Sequence, residues 1–228
     1  MKSRNEIAYD EWAPTYDGDP NPHKLLEEED VVRLVSARAG ESILDAACGT
    51  GRYSAYFVKA GAKVTGLDIS DKMLDLAREK VPGATFLRHD LALPLPFRDG
   101  EFDKICCAQA LKHLPDLSQP FREFSRVLKP GGKLVFSVTH PEMDWTDYQM
   151  SFIPSFALAE QSDIFHHRFF QYLAWIDGAG LEVSGITQVP VSEKIRHLLT
   201  DASFRAVQGR FQIAVFRLLK WRESGATG

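Results

Sequence analysis

The chain has 228 residues, 44% of them hydrophobic and 25% charged, with a formal net charge of -4. That composition is ordinary for a globular protein, and the length suits one large domain with an appended cap. The acidic balance argues against a partner held through its phosphate backbone, and no apolar run nears the roughly 20 residues of a membrane span. The opening residues, with Glu6, Asp10 and Glu11, lack the apolar segment of a secretory signal. Cys48, Cys106 and Cys107 are odd in number and two are adjacent. They fit buried or site-lining thiols of a reducing compartment, hence the cytoplasm, and neither a disulfide framework nor a zinc site.

Two helical stretches, residues 6–16 and 25–38, are joined by the breaker Gly18-Asp19-Pro20-Asn21-Pro22. An alternation follows: strand 42–46, helix 52–60, strand 63–68, and helix 70–81. In that last helix Ser70 serves as N-cap, and Met73, Leu74, Ala77 and Val81 form an apolar face. Strands come next at 85–89 and 102–108, then a helix at 120–128 stopped by Lys129-Pro130-Gly131-Gly132, then a strand at 133–138. Repeated βα units with continuous apolar strands predict a doubly wound α/β fold, its mostly parallel sheet covered on both faces. The rhythm breaks at His140. Residues 141–167 carry Trp145, Tyr148, Phe152, Pro154, Phe156 and Phe165 with weak periodicity, as a lid over an apolar substrate or as packing of a cap. Helix resumes over 168–178. Two closing strands, 181–189 and 211–219, predict an antiparallel finish, with a partly helical surface connection over 192–207.

The run Ile43-Leu44-Asp45-Ala46-Ala47-Cys48-Gly49-Thr50-Gly51 ends an apolar strand on a carboxylate and turns on glycines into a helix. Such a turn presents bare backbone N–H donors at a helix N-terminus. A second strand ends on Asp68, placed to take ribose hydroxyls. Asp45, Asp68, Asp90 and Ala108 all fall at carboxyl ends of strands, where the ligand crevice of a parallel sheet lies. Any one of these acids could be only a helix cap; three in succession point to a nucleotide site. Gly49-x-Gly51-x-x-Ser54 comes close to the dinucleotide pattern of an NAD-type oxidoreductase. An acid at Asp45, however, sets negative charge beside the pyrophosphate of such a ligand. It suits a cationic ligand instead, an amine beside a sulfonium.

On these residues the chain resembles a class I S-adenosylmethionine-dependent methyltransferase, of the small-molecule branch that includes the ubiquinone and menaquinone biosynthesis methyltransferases. The resemblance is carried by the run from Ile43 to Gly51, with Ala47 where glycine is commoner, and by Val64-Thr65-Gly66-Leu67-Asp68-Ile69-Ser70-Asp71-Lys72-Met73-Leu74. Leu87-Arg88-His89-Asp90-Leu91, Ala110-Leu111-Lys112-His113-Leu114-Pro115-Asp116 and Arg126-Val127-Leu128-Lys129-Pro130-Gly131-Gly132 extend it, as does Trp12-Ala13-x-x-Tyr16-Asp17 near the start. It covers about residues 9–140 well. It implies a seven-stranded Rossmann-like sheet with the last strand antiparallel. It also implies an N-terminal helical cap (1–40), a cofactor-binding core (41–140), a substrate lid after the fifth strand (141–168), and a C-terminal part of the sheet (169–228). S-adenosyl-L-methionine is the implied cofactor. Ala47, Gly49 and Gly51 hold its methionine part with Asp45 near the amine. Asp68 takes the ribose, Ile69 packs on the adenine, with Met73 in the same set, and Asp90 meets the adenine amine with Leu91 alongside. Ala108 offers a carbonyl to the methionine end, Tyr16 folds over the cofactor, and Arg52 is either a partner of its carboxylate or an exposed helix-start arginine.

Methyl transfer from a sulfonium is an in-line displacement that rests on alignment and exclusion of water. A base is needed only when the nucleophile arrives protonated. His113 and His140 follow the fourth and fifth strands respectively, on the substrate side, and are the candidate catalytic residues, a structural role for either standing beside that reading. Asp144 and Tyr148 are further candidates, and His166-His167 read as helix-start or surface residues. Ala108-Gln109-Ala110-Leu111 stands where a nucleic-acid amino-methyltransferase carries an Asn/Asp-Pro-Pro-aromatic motif, which with the acidic charge favours a small-molecule partner over nucleic acid.

Overall fold

A computed structural model describes residues 2–142 and 161–221. Asp144, Trp145, Tyr148, Phe152, Pro154 and Phe156, with most of the expected lid, lie outside the described residues. Strands β1 (Ser42–Ala46), β2 (Lys63–Asp68), β3 (Thr85–Arg88), β4 (Phe102–Ala108), β5 (Leu128–Thr139), β6 (Leu181–Pro190) and β7 (Phe211–Lys220) form one seven-stranded sheet. Its order is β3-β2-β1-β4-β5-β7-β6. Only β7 runs against its neighbours β5 and β6, so the mostly parallel sheet with an antiparallel last strand is what the chain forms.

The apolar runs read as strands because both faces of each are covered. Successive residues feed opposite cores: Leu44, Ile105, Cys107, Leu134, Phe136 and Phe216 face one, and Ile43, Cys106, Val135, Ile213 and Val215 the other. The adjacent Cys106 and Cys107 are thereby buried on opposite sides of the sheet, both as free thiols. The chain fills the sheet outward from β1 in one direction and then from β4 in the other. A crevice opens at the carboxyl ends of β1 and β4, where that direction reverses.

Helices α1 (Arg4–Trp12), α2 (Pro22–Val35), α3 (Arg52–Lys59), α4 (Asp71–Lys80), α5 (Ser118–Val127), α6 (Phe169–Gly178) and α7 (Asp201–Val207) complete the described elements, with 3-10 helices of one turn at Leu111–His113 and of two at Glu193–Leu198. Their ends follow capping chemistry. α1 starts earlier than expected because Ser3 Oγ accepts from Glu6 N–H (3.1 Å). It stops at Trp12, ahead of Ala13-Pro14. α2 also starts earlier, since Asn21 Oδ1 accepts from His23 N–H (2.9 Å) and Pro22 sits in the first turn, where no N–H is needed. Lys129-Pro130-Gly131-Gly132 does not separate a helix from a strand. It is the opening of β5, with Leu128 paired to Phe102 and a register shift before Lys133 pairs with Lys104.

Side chains fasten α1 over the crevice. Ser70 Oγ donates to Asp10 Oδ1 (2.6 Å), and Arg88 pairs with Glu6 (2.8 Å). Among the described residues no helix is long and apolar enough to cross a membrane, and no cluster of His, Cys, Asp and Glu could hold a metal ion.

Candidate active site

The turn after β1 folds tightly because three of its five residues adopt the left-handed region: Ala47 at φ 59°, Gly49 at 53° and Gly51 at 78°. Gly51 must also be bare, since a Cβ there would stand 3.2 Å from that of Ala77 on α4. Asp68, at the end of β2, fixes the turn from the side. Its Oδ2 accepts from Gly49 N–H (2.8 Å) and its Oδ1 from Ser70 N–H (3.0 Å). The carboxylate, with about four acceptor positions, keeps acceptor capacity for the crevice. Burial raises the Asp68 carboxyl, and those same N–H groups pull it back down.

One cavity occupies the crevice. Asp68, Ile69, His89, Asp90 and Leu91 wall one end, Ala47, Cys48, Gly49 and Thr50 form the floor, and Ala108 to Leu114 border the other end without Leu111. Tyr9, Trp12 and Tyr16 roof it. Tyr16 lies over the glycine turn: its Cε1 is 4.0 Å from where a Cβ on Gly49 would stand. Its ring meets Trp12 edge-on (4.7 Å) and takes the Lys24 ammonium on one face (3.8 Å). Asp90 is held by a turn in which its Oδ1 accepts from Ala92 N–H (2.9 Å).

Four expected site residues stand elsewhere. Asp45 is 1% exposed and does not line the cavity; its Oδ2 accepts from Ser54 Oγ (2.6 Å) behind the turn. Burial there raises its carboxyl to about 6. Gly51 faces α4, and Met73 is fully buried within that helix's apolar face. His140 is turned away by its backbone, whose N–H donates to Gln212 O (2.9 Å), and its ring sits between Phe169 (5.2 Å) and Phe211 (5.7 Å). It lines a separate, smaller pocket with Thr139, His166, His167 and Lys112. His167 is buried and donates to Leu114 O (2.8 Å), so it is no surface residue.

His113 does line the main cavity. Its Nδ1 faces the carbonyl of Asp163 (2.7 Å) and therefore donates, which leaves Nε2 to accept from the Tyr9 hydroxyl (2.8 Å). Burial lowers its ionisation to about 4. The neutral ring is thus fixed in one tautomer.

Several cavity residues had no signal in the sequence beyond their place in a motif. Glu27 is fully buried among the apolar residues of α2. It accepts from Gln109 Nε2 (2.8 Å) and Tyr53 Oη (3.0 Å), with Arg52 at 3.5 Å. Arg52 also pairs with Glu28 (3.0 Å), so it is neither exposed nor an uncommitted partner for a ligand carboxylate. Gln109 sits just past β4 at φ 56°, with its Oε1 buried and unpartnered. Strained backbone of this kind gathers at functional sites.

A methyltransferase domain family matches residues 44–136. The demethylmenaquinone methyltransferase of Chlorobaculum parvum is 39% identical over 142 residues, 58% of this chain and 58% of that protein. The match therefore spans less than two thirds of that relative's length. The demethylmenaquinone methyltransferase of Listeria welshimeri is 30% identical over 188 residues, 79% of this chain and 77% of that protein. Among solved structures, an S-adenosylmethionine-dependent methyltransferase from Mesorhizobium loti superposes with a TM-score of 0.67, at 24% identity, over 85% of this chain and 97% of its own. A Haloferax volcanii methyltransferase solved with the Trm112 activator gives 0.71 at 21% identity, over 94% and 98%. The cavity has the donor set that S-adenosylmethionine, the cofactor of this family, requires: a buried carboxylate with free lone pairs, apolar residues beside it, and a bare backbone turn. The chain belongs to the class I S-adenosylmethionine-dependent methyltransferases.

Proposed function

We propose that the protein transfers the methyl group of S-adenosylmethionine to a small, apolar or aromatic molecule. The observation that carries this reading is the single cavity running from Asp68 and Asp90, past the glycine turn, to an end walled by Tyr9, Gln109, Lys112 and His113. Bound there, S-adenosylmethionine supplies an already activated methyl group, so the protein has to position the acceptor and exclude water. In this reading Asp68 accepts from the ribose hydroxyls, Ile69 and Leu91 flank the adenine, and the second oxygen of Asp90 accepts from its amine. The backbone of Ala47, Gly49 and Ala108 takes the methionine end, and Tyr16 closes over it.

The acceptor enters beside Tyr9 and His113. Relatives named demethylmenaquinone methyltransferases support a ring-bearing acceptor. His113 is a weak base here, because burial favours its neutral form and Tyr9 already donates to Nε2. It orients the tyrosine hydroxyl. His140 lies off this path and packs the end of β5. Asp163, whose carbonyl accepts from His113 Nδ1–H, and Phe165, whose N–H donates to Lys112 O (2.7 Å), tie the described end of the 141–168 insertion to the turn that carries Lys112 and His113. Their position favours that insertion as a lid.

Thermal-shift titration with S-adenosylhomocysteine and with NADH tests the cofactor. Stabilisation by NADH alone sinks the reading. Incubation with S-adenosylmethionine and a panel of quinols, phenols and amines, read by release of S-adenosylhomocysteine, tests transfer. Binding without release from any acceptor favours a protein that uses the cofactor without turnover.

A further inference from the structure

Lys112 stands on the one-turn helix after β4, on the wall shared by the main cavity and the smaller pocket before His140. Its ammonium has no ion pair and no hydrogen bond among the described residues. Lys112 is half-buried, and a cation drawn partly out of water into a cavity gains from a counter-charge there. Four ionisable groups from three directions act on it: Glu27 and His23 from α2, His113 from its own turn, and His166 from the segment before α6. The three imidazoles offer no negative charge. The one carboxylate, Glu27, is already engaged by Gln109, Tyr53 and Arg52.

Four further polar atoms lining these two cavities are buried without partners: His89 Nε2 and Gln109 Oε1 in the main cavity, and Thr139 Oγ1 and His140 Nε2 in the smaller pocket. Buried polar groups left unsatisfied in a folded protein call for an account, and a ligand is one. Tyr9, Trp12 and His113 supply the ring surfaces around this end. Burial also lowers the Lys112 ammonium to about 8, the direction expected of a cation waiting for its counter-charge.

We propose that Lys112 is the acceptor-recognition residue and that the acceptor binds as an aromatic anion, a phenolate or enolate, whose ionised oxygen pairs with the Lys112 ammonium while a second hydroxyl donates to Gln109 Oε1. This rests on reading the cavity as the acceptor site. The acceptor's proton leaves to solvent on binding. The electron pair it leaves behind, on oxygen or on the conjugated ring carbon, forms the new bond to the methyl as the methyl–sulfur bond breaks. No side chain then has to act as base in the closed site, which accords with a His113 committed to Tyr9 and Asp163.

The test uses 4-nitrophenol, whose ionised form absorbs visibly. With the full-length protein in excess and S-adenosylhomocysteine bound, the bound phenol is expected to ionise at a pH lower by about one unit, the low end of the effect of an adjacent opposite charge. The shift should vanish in Lys112→Met and return in Lys112→Arg. No shift in the wild-type protein, or a shift that survives in Lys112→Met, overturns the proposal, and the wild-type result stands if the variant fails to fold. Loss of S-adenosylhomocysteine affinity in folded Lys112→Met also overturns it, by assigning the ammonium to the cofactor's carboxylate. Failure of the wild-type protein to bind S-adenosylhomocysteine counts against the cofactor reading instead, and the phenol titration without it still reads Lys112.

Discussion

Ala47 is held at φ 59°, a conformation that costs a residue with a Cβ roughly 1–2 kcal/mol. Glycine removes that cost but loses more chain entropy on folding, roughly 0.4–1 kcal/mol. Ala47→Gly is therefore expected to raise stability by about 0.5–1 kcal/mol, a gain of a few degrees in Tm by calorimetry. A drop in Tm contradicts the strained backbone. Asp68 ties two things together at one carboxylate, the fold of the turn and the proposed ribose contact. Asp68→Ala is expected to lower Tm, because Gly49 and Ser70 N–H lose their acceptor. It should also weaken S-adenosylhomocysteine binding by well over tenfold, since hydrogen bonds to a charged acceptor are worth roughly 1.5–3 kcal/mol each. An unchanged Kd by calorimetric titration removes Asp68 from the cofactor site, whatever happens to Tm.

Helix α4 is coupled to the roof of the cavity through its cap. Ser70 Oγ accepts from Met73 N–H (3.1 Å) and donates to Asp10 Oδ1 on α1 (2.6 Å). Ser70→Ala loses a cap worth roughly 0.5–2 kcal/mol and frees α1 from its anchor. The expected result is a lower denaturation midpoint and faster S-adenosylhomocysteine release by stopped flow, while Ser70→Thr keeps both near wild type. Equal release rates show that α1 does not close the site. Such couplings also explain what the sequence made legible. Strands β1, β2 and β4 were readable because both faces are buried along most of each run, so the residues there are apolar or small, with charges such as Lys63 and Asp103 near the strand starts and Asp45 and Asp68 near the ends. Asp68 and Asp90 were readable because a charged residue ending such a run has only the crevice or a cap to serve. Asp45 satisfied the same pattern yet points behind the turn to Ser54, and strand-end position alone does not fix that orientation. Helix ends shifted where a local cap outweighed a breaker, as at Asn21-Pro22. Glu27, Gln109 and Lys112 stayed hidden because a buried polar residue is recognised by its tertiary partners, and α2 meets β4 only in the folded chain.

Across the whole molecule, buried ionisable groups set how stability follows pH. His23 is lowered to about 3 and His113 to about 4, both by burial, and Gln212 Nε2 donates to His23 Nε2 (3.0 Å), which keeps that ring an acceptor. Their folded values lie below the unfolded one, so their contribution is full above about pH 6.5 and is lost as pH falls. Asp45 works the other way. Its folded value, about 6, lies above the unfolded one, so its contribution is present below about pH 4 and lost as pH rises through 6. Between about pH 4 and 6, unfolding takes up two protons at the histidines and releases one at Asp45. Each proton is worth roughly 1–1.5 kcal/mol per pH unit, so these three groups together should lower stability by about that amount for each unit of acidification. Asp45→Asn removes the opposing carboxylate while its amide oxygen can still accept from Ser54. It is expected to be more stable than wild type at pH 7, where a buried carboxylate must be charged, and to lose stability more steeply between pH 6 and 4, by the equivalent of about one proton. Urea titrations of both proteins across that range read the two slopes directly. Parallel slopes mean that Asp45 keeps an ordinary carboxylate ionisation and is not sealed behind the turn.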